Sequence, residues 1–231
     1  MRVFDIARMS NITEFAVFGE RCSGTKYIRR IIELNFKIQD TPRFGAKHWF
    51  YDKDHVIRAG TASALIVVIV RDPSTWLRSM HCMPYHVHSS LRGITFDKFI
   101  QKEWRCNFDE TSHTPPGSST YGAEMMFERD PQTGERFANV VQMRSAKLRA
   151  LLDLRDIVEN FVMITYEELV RAPQTVLNFL ETRFGLQRRT QRMNFGQRHS
   201  PTIHEPLEER HVAHVKKYID EELERVVGYA I

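Results

Sequence analysis

An uninterrupted apolar run, Ala-Leu-Ile-Val-Val-Ile-Val at residues 64–70, constrains the fold more than any other segment of the chain. The run is rich in β-branched residues and has the length of a strand, far short of the roughly 20 residues that cross a bilayer. A strand that is apolar at every position is buried on both faces, as in the centre of a parallel sheet. The run therefore predicts a parallel sheet with helices on both of its faces.

The remaining chain alternates between short apolar runs and amphipathic stretches. Predicted strands are residues 15–18, 64–70 and 161–165, and predicted helices are residues 26–36, 73–82, 139–154, 173–184 and 206–227. Strands that alternate with helices are typical of α/β proteins. We therefore expect a single-domain three-layer sandwich with a central parallel β-sheet flanked by helices, whose ligand binds at the carboxyl ends of the strands.

Chain length and residue order set the domain organisation. The 231 residues suit one domain of this class, so we expect a single domain over 1–231. Residues 105–139 are the least regular and are expected to form an insertion, and residues 206–231 a helical C-terminal segment. Since neither a signal peptide nor a spanning segment is visible, we expect a cytoplasmic protein without a membrane span, whose oligomeric state is not readable.

Charge and cysteine content exclude several classes of partner. Lys and Arg number 33 against 29 Asp and Glu, a net charge of +4 that suits a local anion site. Dense basic stripes with interleaved aromatics are not visible, so nucleic acid is not expected as a partner. Cys22, Cys82 and Cys106 form no paired motif, so neither disulfides nor a zinc site is predicted. His81, His86 and His88 also lack the spacing of tetrahedral zinc ligands, so no metal site is expected.

The loop at residues 19–26 has the pattern of a phosphate cradle. It reads Gly, four residues, Gly24, Thr25 and Lys26, between a predicted strand and a predicted helix. Backbone N–H groups at a helix N-terminus bind anions, and the hydroxyls of Ser23 and Thr25 can add hydrogen bonds. The alternative is an ordinary strand-to-helix turn that uses glycine for its geometry.

The order of residues in this loop departs from that of nucleoside triphosphatases. Those proteins place Lys before Ser or Thr, so that the lysine reaches the outer phosphates and the hydroxyl ligates Mg²⁺. Here Thr25 precedes Lys26, and Arg71 separates the candidate carboxylate Asp72 from its strand. The sequence therefore matches the magnesium-binding part of the kinase pattern poorly.

Three segments together resemble the sulfotransferases that use 3′-phosphoadenosine 5′-phosphosulfate (PAPS). Ser-Gly-Thr at 23–25 looks like that family's 5′-phosphosulfate loop. Arg71-Asp-Pro-Ser-Thr-Trp-Leu-Arg-Ser79 looks like its 3′-phosphate motif, which pairs a strand-end Arg with a later Ser. Tyr-Glu-Glu-Leu at 166–169 resembles the segment that precedes a long helix in the family. The resemblance implies a P-loop NTPase-like fold with PAPS as donor cosubstrate and no metal.

The resemblance also assigns roles to individual residues. The donor contacts that it implies are Arg21, Cys22, Ser23, Gly24, Thr25, Lys26, Tyr27, Arg71 and Ser79. His48 would be the base that deprotonates the acceptor, with His55 as a weaker substitute. Many family members carry Lys where this chain has Cys22, so the cation that stabilises the leaving group is Arg21, Lys26 or Lys47. A late basic segment around Arg198 would close over the donor.

The predicted activity is transfer of a sulfuryl group from PAPS to a hydroxyl or amine acceptor, with release of adenosine 3′,5′-bisphosphate. A small molecule or a glycan would serve as acceptor, and the sequence does not identify it. Two other functions remain open. One is a P-loop nucleotide kinase or related phosphotransferase, and the other is a non-catalytic module that binds a phosphorylated ligand.

Overall fold

The computed structural model describes residues 4–9, 11–189 and 202–231. Arg198, for which the sequence predicts a donor-closing role, lies outside the described residues. The chain divides into two compact units, the first comprising Met1–Asp72 and Ala150–Ile203 and the second Pro73–Arg149 and His204–Ile231. Each unit is therefore assembled from two separate stretches of the chain.

The fold is α/β. The strands are β1 (Phe4–Ala7), β2 (Glu14–Gly19), β3 (Gln39–Asp40), β4 (Ala64–Val70) and β5 (Asn160–Thr165). The helices are α1 (Thr25–Asn35), α2 (Lys53–Ala59), α3 (Pro73–Cys82), α4 (Phe96–Gln101), α5 (Val140–Asp153), α6 (Tyr166–Arg171), α7 (Pro173–Phe184), α8 (Glu209–Tyr218) and α9 (Glu221–Val226).

The first unit is built on one mostly parallel sheet. Five strands of the described chain lie in the order β1-β5-β4-β2-β3. β2 is parallel to β3 and to β4, and β4 is parallel to β5. The edge strand β1 runs antiparallel to β5, which the sequence analysis did not predict. Gly19 pairs with Ile69 and Val70 with Thr165, so the carboxyl ends of β2, β4 and β5 reach the same edge of the sheet.

Apolar packing explains why this sheet and its helices form. Every residue of β4 is fully buried, which confirms the prediction of a central strand with two covered faces. On one face, apolar residues of β2, β4 and β5 pack with the buried sides of α1 and α7 in a single hydrophobic cluster. α1 contributes isoleucines at helical spacing, Ile28, Ile31 and Ile32, which predicted this helix.

The second unit is mainly helical and contains a buried ionic core. The side chain of Arg144 on α5 is fully buried and makes two hydrogen bonds to the Glu224 carboxylate on α9, at 2.6 and 2.8 Å. The Arg144 guanidinium also lies over the ring of Trp76 on α3. In a second buried cluster, Trp104 and Lys147 both donate to the Glu128 carboxylate.

One expectation about the C-terminal segment needs correction. The helical stretch predicted over 206–227 is two helices, because α8 ends at Tyr218 and the Asp220 side chain caps α9. His211 on α8 is 2% exposed, and its Nε2 lies 3.1 Å from the Asp97 carboxylate. Over the described residues, helices sufficiently long and apolar to cross a bilayer are absent.

Candidate functional site

The loop between β2 and α1 is shaped by two glycines. A Cβ at Gly19 would lie 2.4 Å from the Ile69 carbonyl oxygen, closer than two packed atoms can approach. Gly24 has a φ of +92°, in the left-handed region, and a Cβ there would lie 2.7 Å from the Tyr166 ring. The loop therefore follows its path because both positions lack a side chain.

This loop presents backbone donors at the first turn of α1. Tyr27 and Ile28 donate to the Gly24 carbonyl and so begin the helix. Among the residues that the structure describes, the N–H groups of Gly24, Thr25 and Lys26 donate to no backbone carbonyl. Three successive amides at a helix N-terminus can bind an anion, with the helix dipole adding to the attraction.

The polar residues of the same loop differ in burial and in backbone conformation. Ser23 and Thr25 are buried, and the Ser23 hydroxyl donates to the Glu20 carbonyl at 2.5 Å. Cys22 adopts a φ of +61°, a conformation that few residues other than glycine and asparagine adopt readily. Its carbonyl oxygen accepts a hydrogen bond from Arg71, the first residue after β4.

Arg71 connects the loop to the neighbouring strand ends. It follows β4 directly, and its Nη1 donates to the Cys22 carbonyl oxygen at 3.0 Å. Its guanidinium carbon lies 4.5 Å from the centroid of the Tyr166 ring, a cation–π contact. Tyr166 follows β5 and is buried. Cys22, which directly precedes the Ser-Gly-Thr segment, thus forms one contact group with Arg71 and Tyr166, which belong to the other two segments that resemble the sulfotransferases.

Carboxylates of α6 hold this edge of the sheet together. Glu167 accepts a hydrogen bond from the Asp72 backbone N–H at 3.1 Å. The Thr165 hydroxyl caps α6 by accepting from the Glu168 N–H. Burial raises the pKa of the Tyr166 phenol, with the Arg71 charge acting in the opposite direction, so this ring stays neutral at physiological pH.

His48 is anchored beside the start of the loop. Its Nδ1 lies 2.8 Å from the Gly19 carbonyl oxygen, and the Gly19 N–H donates to the Lys47 carbonyl. A carbonyl oxygen only accepts, so Nδ1 carries the proton and the lone pair of neutral His48 is on Nε2. The geometry therefore leaves Nε2 as the nitrogen that would act as a base.

A group of cations lies around Lys47. Burial is the main cause that lowers the pKa of Lys47, and the charges of Lys26 and Arg29 lower it further. Asp40 offsets part of this repulsion and forms an ion pair with Arg29 at 2.9 Å. Burial in turn raises the pKa of Asp40. The cations Lys26, Arg29 and Lys47 outnumber the Asp40 carboxylate, so this group has a net positive charge beside the loop.

The structure gives the remaining predicted residues the following positions. Arg21 is buried, and its guanidinium carbon lies 5.5 Å from the Trp49 ring centroid. Tyr27 is half-buried on α1, and burial raises its pKa. Ser79 belongs to the second unit, where its hydroxyl lies 2.7 Å from His204 Nε2. Its predicted phosphate contact stays a prediction.

His55 has a different setting from the one expected of a substitute base. It lies on α2, where its Nε2 lies 2.7 Å from the Arg43 carbonyl oxygen and its N–H is capped by Asp52. Sequence reasoning did not single out Trp49. It placed Tyr166 in a segment that resembles the sulfotransferases without giving it a role, although Tyr166 directly follows a strand end. Clusters of His, Cys, Asp and Glu with metal-binding geometry were not found within the described residues.

Comparison with protein-family models, with curated proteins and with solved structures finds no match to this chain. The site is therefore interpreted from its own geometry. Its chemistry is that of an anion site: backbone amides, buried hydroxyls and cations converge at the carboxyl ends of three strands.

Proposed function

We propose that this protein is a PAPS-dependent sulfotransferase with a three-layer, P-loop NTPase-like first unit. The contact group of Cys22, Arg71 and Tyr166 carries the proposal. Parallel pairing of β2, β4 and β5 brings together the residues that follow these strands, and the three segments that resemble the family lie at these positions. Their meeting at the carboxyl edge of a parallel sheet supports a nucleotide site at this place.

In this proposal the loop binds the 5′-phosphosulfate of the donor. The amides of Gly24, Thr25 and Lys26 donate to its oxygens and the Thr25 hydroxyl adds to them, whereas the Ser23 hydroxyl proton is held by the Glu20 carbonyl. Arg71 binds the 3′-phosphate. A guanidinium has five N–H donors, so Arg71 can keep its bond to Cys22 while it binds a phosphate.

His48 would accept the proton of the acceptor group. As the acceptor oxygen or nitrogen forms its bond to sulfur, its proton passes to His48 Nε2, and the bond from sulfur to the bridging phosphate oxygen breaks. The bisphosphate leaves with the electron pair of that bond. Arg21, Lys26 and Lys47 are the cations that would stabilise the charge on the bridging oxygen. Among them, Arg21 is buried and Lys47 is half-buried, and burial lowers the pKa of Lys47.

A calorimetric titration with adenosine 3′,5′-bisphosphate tests the donor site without knowledge of the acceptor. We expect binding in the absence of any metal, and loss of that binding in Arg71→Ala. The matched control is Arg58→Ala, which removes an exposed arginine of α2 in the same unit. Thermal unfolding of both variants shows whether each is folded.

The outcomes separate the proposal from its competitors. Binding of ATP that requires Mg²⁺, with no binding of the bisphosphate, would replace the sulfotransferase with a kinase. Bisphosphate binding equal in Arg71→Ala and Arg58→Ala would remove Arg71 from the site and the proposal with it. Bisphosphate binding without sulfuryl transfer to any hydroxyl or amine acceptor would favour a non-catalytic module.

A further inference from the structure

The net positive charge of the protein belongs to its first unit. That unit carries 19 Lys and Arg residues against 14 Asp and Glu residues, whereas the second unit carries 14 against 15. Cations attract an anionic partner most strongly where they are exposed and have no carboxylate beside them. The solvent side of α1 and the chain around its C-terminal end meet both conditions.

The solvent side of α1 is basic. One side of the helix is buried in the hydrophobic cluster, and Lys26, Arg29 and Arg30 are exposed. Lys26 and Arg30 are four residues apart, so they lie on the same side of the helix, about 6 Å apart along its axis. Within the described part of the chain neither has a carboxylate partner, whereas Arg29 pairs with Glu33 and Asp40. Two of these three cations therefore keep an uncompensated charge.

Two more cations extend this surface past the C-terminus of α1. The Lys37 N–H donates to the Gln187 carbonyl at 2.9 Å, and the Arg189 N–H donates to the Asn35 carbonyl at 2.8 Å. Arg189 Nε also donates to the Phe36 carbonyl at 2.9 Å. The side chains of Lys37 and Arg189 are exposed, and neither forms an ion pair with a described carboxylate. The basic face, as we call this surface below, consists of Lys26, Arg29, Arg30, Lys37 and Arg189.

The donor of the proposed reaction does not account for the whole basic face. Its phosphosulfate is assigned to the N-terminus of α1, where Lys26 lies. The 11 residues of α1 make a helix about 16 Å long, and Lys37 and Arg189 lie at its other end. Exposed charges at that distance are largely screened, because the Debye length is about 10 Å at 0.1 M salt. The far end of the basic face is therefore open to a separate anionic partner.

A free edge of the sheet lies beside the basic face. β3 is the outermost strand on its side of the sheet, and its Asp40 forms the ion pair with Arg29. The N–H groups of Gln39 and Thr41 both donate toward the neighbouring strand. Backbone groups alternate in direction along a strand, so the N–H and carbonyl of Asp40 face away from the sheet. In the described chain they bond to no other backbone group, and an extended polypeptide can pair with such an edge.

A carboxylate within the basic face also favours a polypeptide partner. Glu33 lies on the same side of α1 as Lys26 and Arg30, because the three residues have helical spacing. Nucleic acids, sulfated polysaccharides and anionic membranes carry negative charge along their whole surface, so each would bring a like charge against Glu33. A polypeptide can place acidic residues opposite the cations and an uncharged residue opposite Glu33.

We propose that the basic face and the adjoining edge of β3 bind an extended acidic polypeptide segment of a partner protein. The carboxylates of the segment pair with the exposed cations, and its backbone pairs with the edge at Asp40. Alternate side chains of an extended segment lie on one side about 6.6 Å apart, close to the spacing of Lys26 and Arg30 along α1. This binding does not depend on the proposed sulfotransferase activity.

Calorimetric titration with the peptide Ser-Glu-Ser-Glu-Ser-Ser-Ser-Glu-Ser-Glu-Ser tests the proposal. It offers one pair of glutamates to each end of the basic face and serines to Glu33. The counterpart with glutamine in place of every glutamate should bind more weakly, on the order of 10-fold, and salt should weaken the acidic peptide, because exposed ion pairs are screened. The double variant Arg30→Glu with Lys37→Glu should lose a similar factor, since two attractions become repulsions.

The control is Lys53→Glu, which reverses an exposed cation of α2 in the same unit and should leave peptide binding unchanged. Thermal unfolding shows whether each variant is folded. Equal affinity of the acidic and neutral peptides, or equal affinity of the double variant and Lys53→Glu, would overturn the proposal.

Further titrations separate a polypeptide from other anionic partners. An acidic peptide N-methylated at its serines keeps its charges but loses the N–H groups that pair with a strand edge, and it should bind more weakly. Equal affinity of the methylated and unmethylated peptides would overturn the pairing with β3. Heparin, duplex DNA and phosphatidylserine vesicles are the other probes. Tighter binding of any of them than of the acidic peptide, lost in the double variant, would replace the polypeptide with that class of partner.

Discussion

The guanidinium of Arg71 stacks over the ring of Tyr166, with its central carbon 4.5 Å from the ring centroid. Arg71 follows β4 and Tyr166 follows β5, and the parallel pairing of these strands brings them level. The contact orients an arginine that would otherwise have many side-chain conformations. Tyr166 also touches Gly24 of the loop, so its ring fixes both the arginine and the loop.

We expect Tyr166→Leu to weaken bisphosphate binding by roughly 2- to 30-fold, the equivalent of about 0.5 to 2 kcal/mol for a lost cation–π contact. Tyr166→Phe keeps the ring and should retain most of the affinity. Calorimetric titration of the two variants measures the difference. If both variants lose the same bisphosphate affinity, the Tyr166 hydroxyl and not its ring contributes to binding.

Gly24→Ala should destabilise the protein more than Gly185→Ala. Both glycines have a left-handed backbone and lie next to a helix end, but only the Cβ at Gly24 would collide, with the Tyr166 ring. The common conformational cost cancels, and the collision adds about 1–3 kcal/mol. Urea unfolding gives the two free energies of unfolding. Equal values would mean that the ring gives way at no cost.

His48→Gln should lower the turnover number by about 100- to 10,000-fold, because the proposed general base is lost. Affinity for the bisphosphate should change little, since His48 bonds to the Gly19 carbonyl and not to the donor-binding amides. Transfer from labelled PAPS to one fixed acceptor and calorimetry supply the two readouts. Turnover within a few-fold of the unmodified protein would exclude His48 as the base.

The Glu124 carboxylate should make stability depend on acid pH. The hydrogen bonds from Arg136 and Arg129 lower its pKa from 4.5 to about 2 in the folded protein. The stabilisation is therefore complete above about pH 4.5, the pKa of the unfolded chain, and is lost as the pH falls toward 2. In Glu124→Gln the free energy of unfolding should fall less steeply over this range.

Glu135→Gln is the control for this measurement, since Glu135 is an exposed carboxylate of the same segment. Urea unfolding at a series of pH values supplies the slopes. If the free energy of unfolding falls equally steeply with pH in Glu124→Gln and Glu135→Gln between about pH 4.5 and 2, Glu124 is not the source of the pH dependence.

Arg144→Met should destabilise the second unit by about 3–5 kcal/mol, because it leaves the Glu224 carboxylate buried without its cation. The double variant Arg144→Met with Glu224→Leu removes both charges and should recover most of that loss. Chemical unfolding followed by Trp fluorescence measures the three proteins. A double variant as unstable as the single one would contradict an ionic origin of the loss.

Much of the first unit is encoded locally. β-branched residues at every position of β4 predict a central strand, and the isoleucines of α1 at helical spacing predict the helix that covers it. The loop between β2 and α1 was also recognisable, because glycine spacing and a following helix are local features. The antiparallel edge strand β1 was not predicted, since its four residues carry little periodic signal and pair with residues distant in the sequence.

The strand and helix pattern, the position of the loop between β2 and α1 and the residue types available for binding follow from the amino-acid sequence, because each depends on near neighbours along the chain. The tertiary structure alone decided which of these residues meet. Parallel pairing of β4 with β5 brings Arg71 to Tyr166, although the two are far apart in the chain. Antiparallel pairing in the second unit likewise brings Val87 to Cys106 and Asn107 to Glu124. Such contacts arise from strand register, which local sequence does not encode.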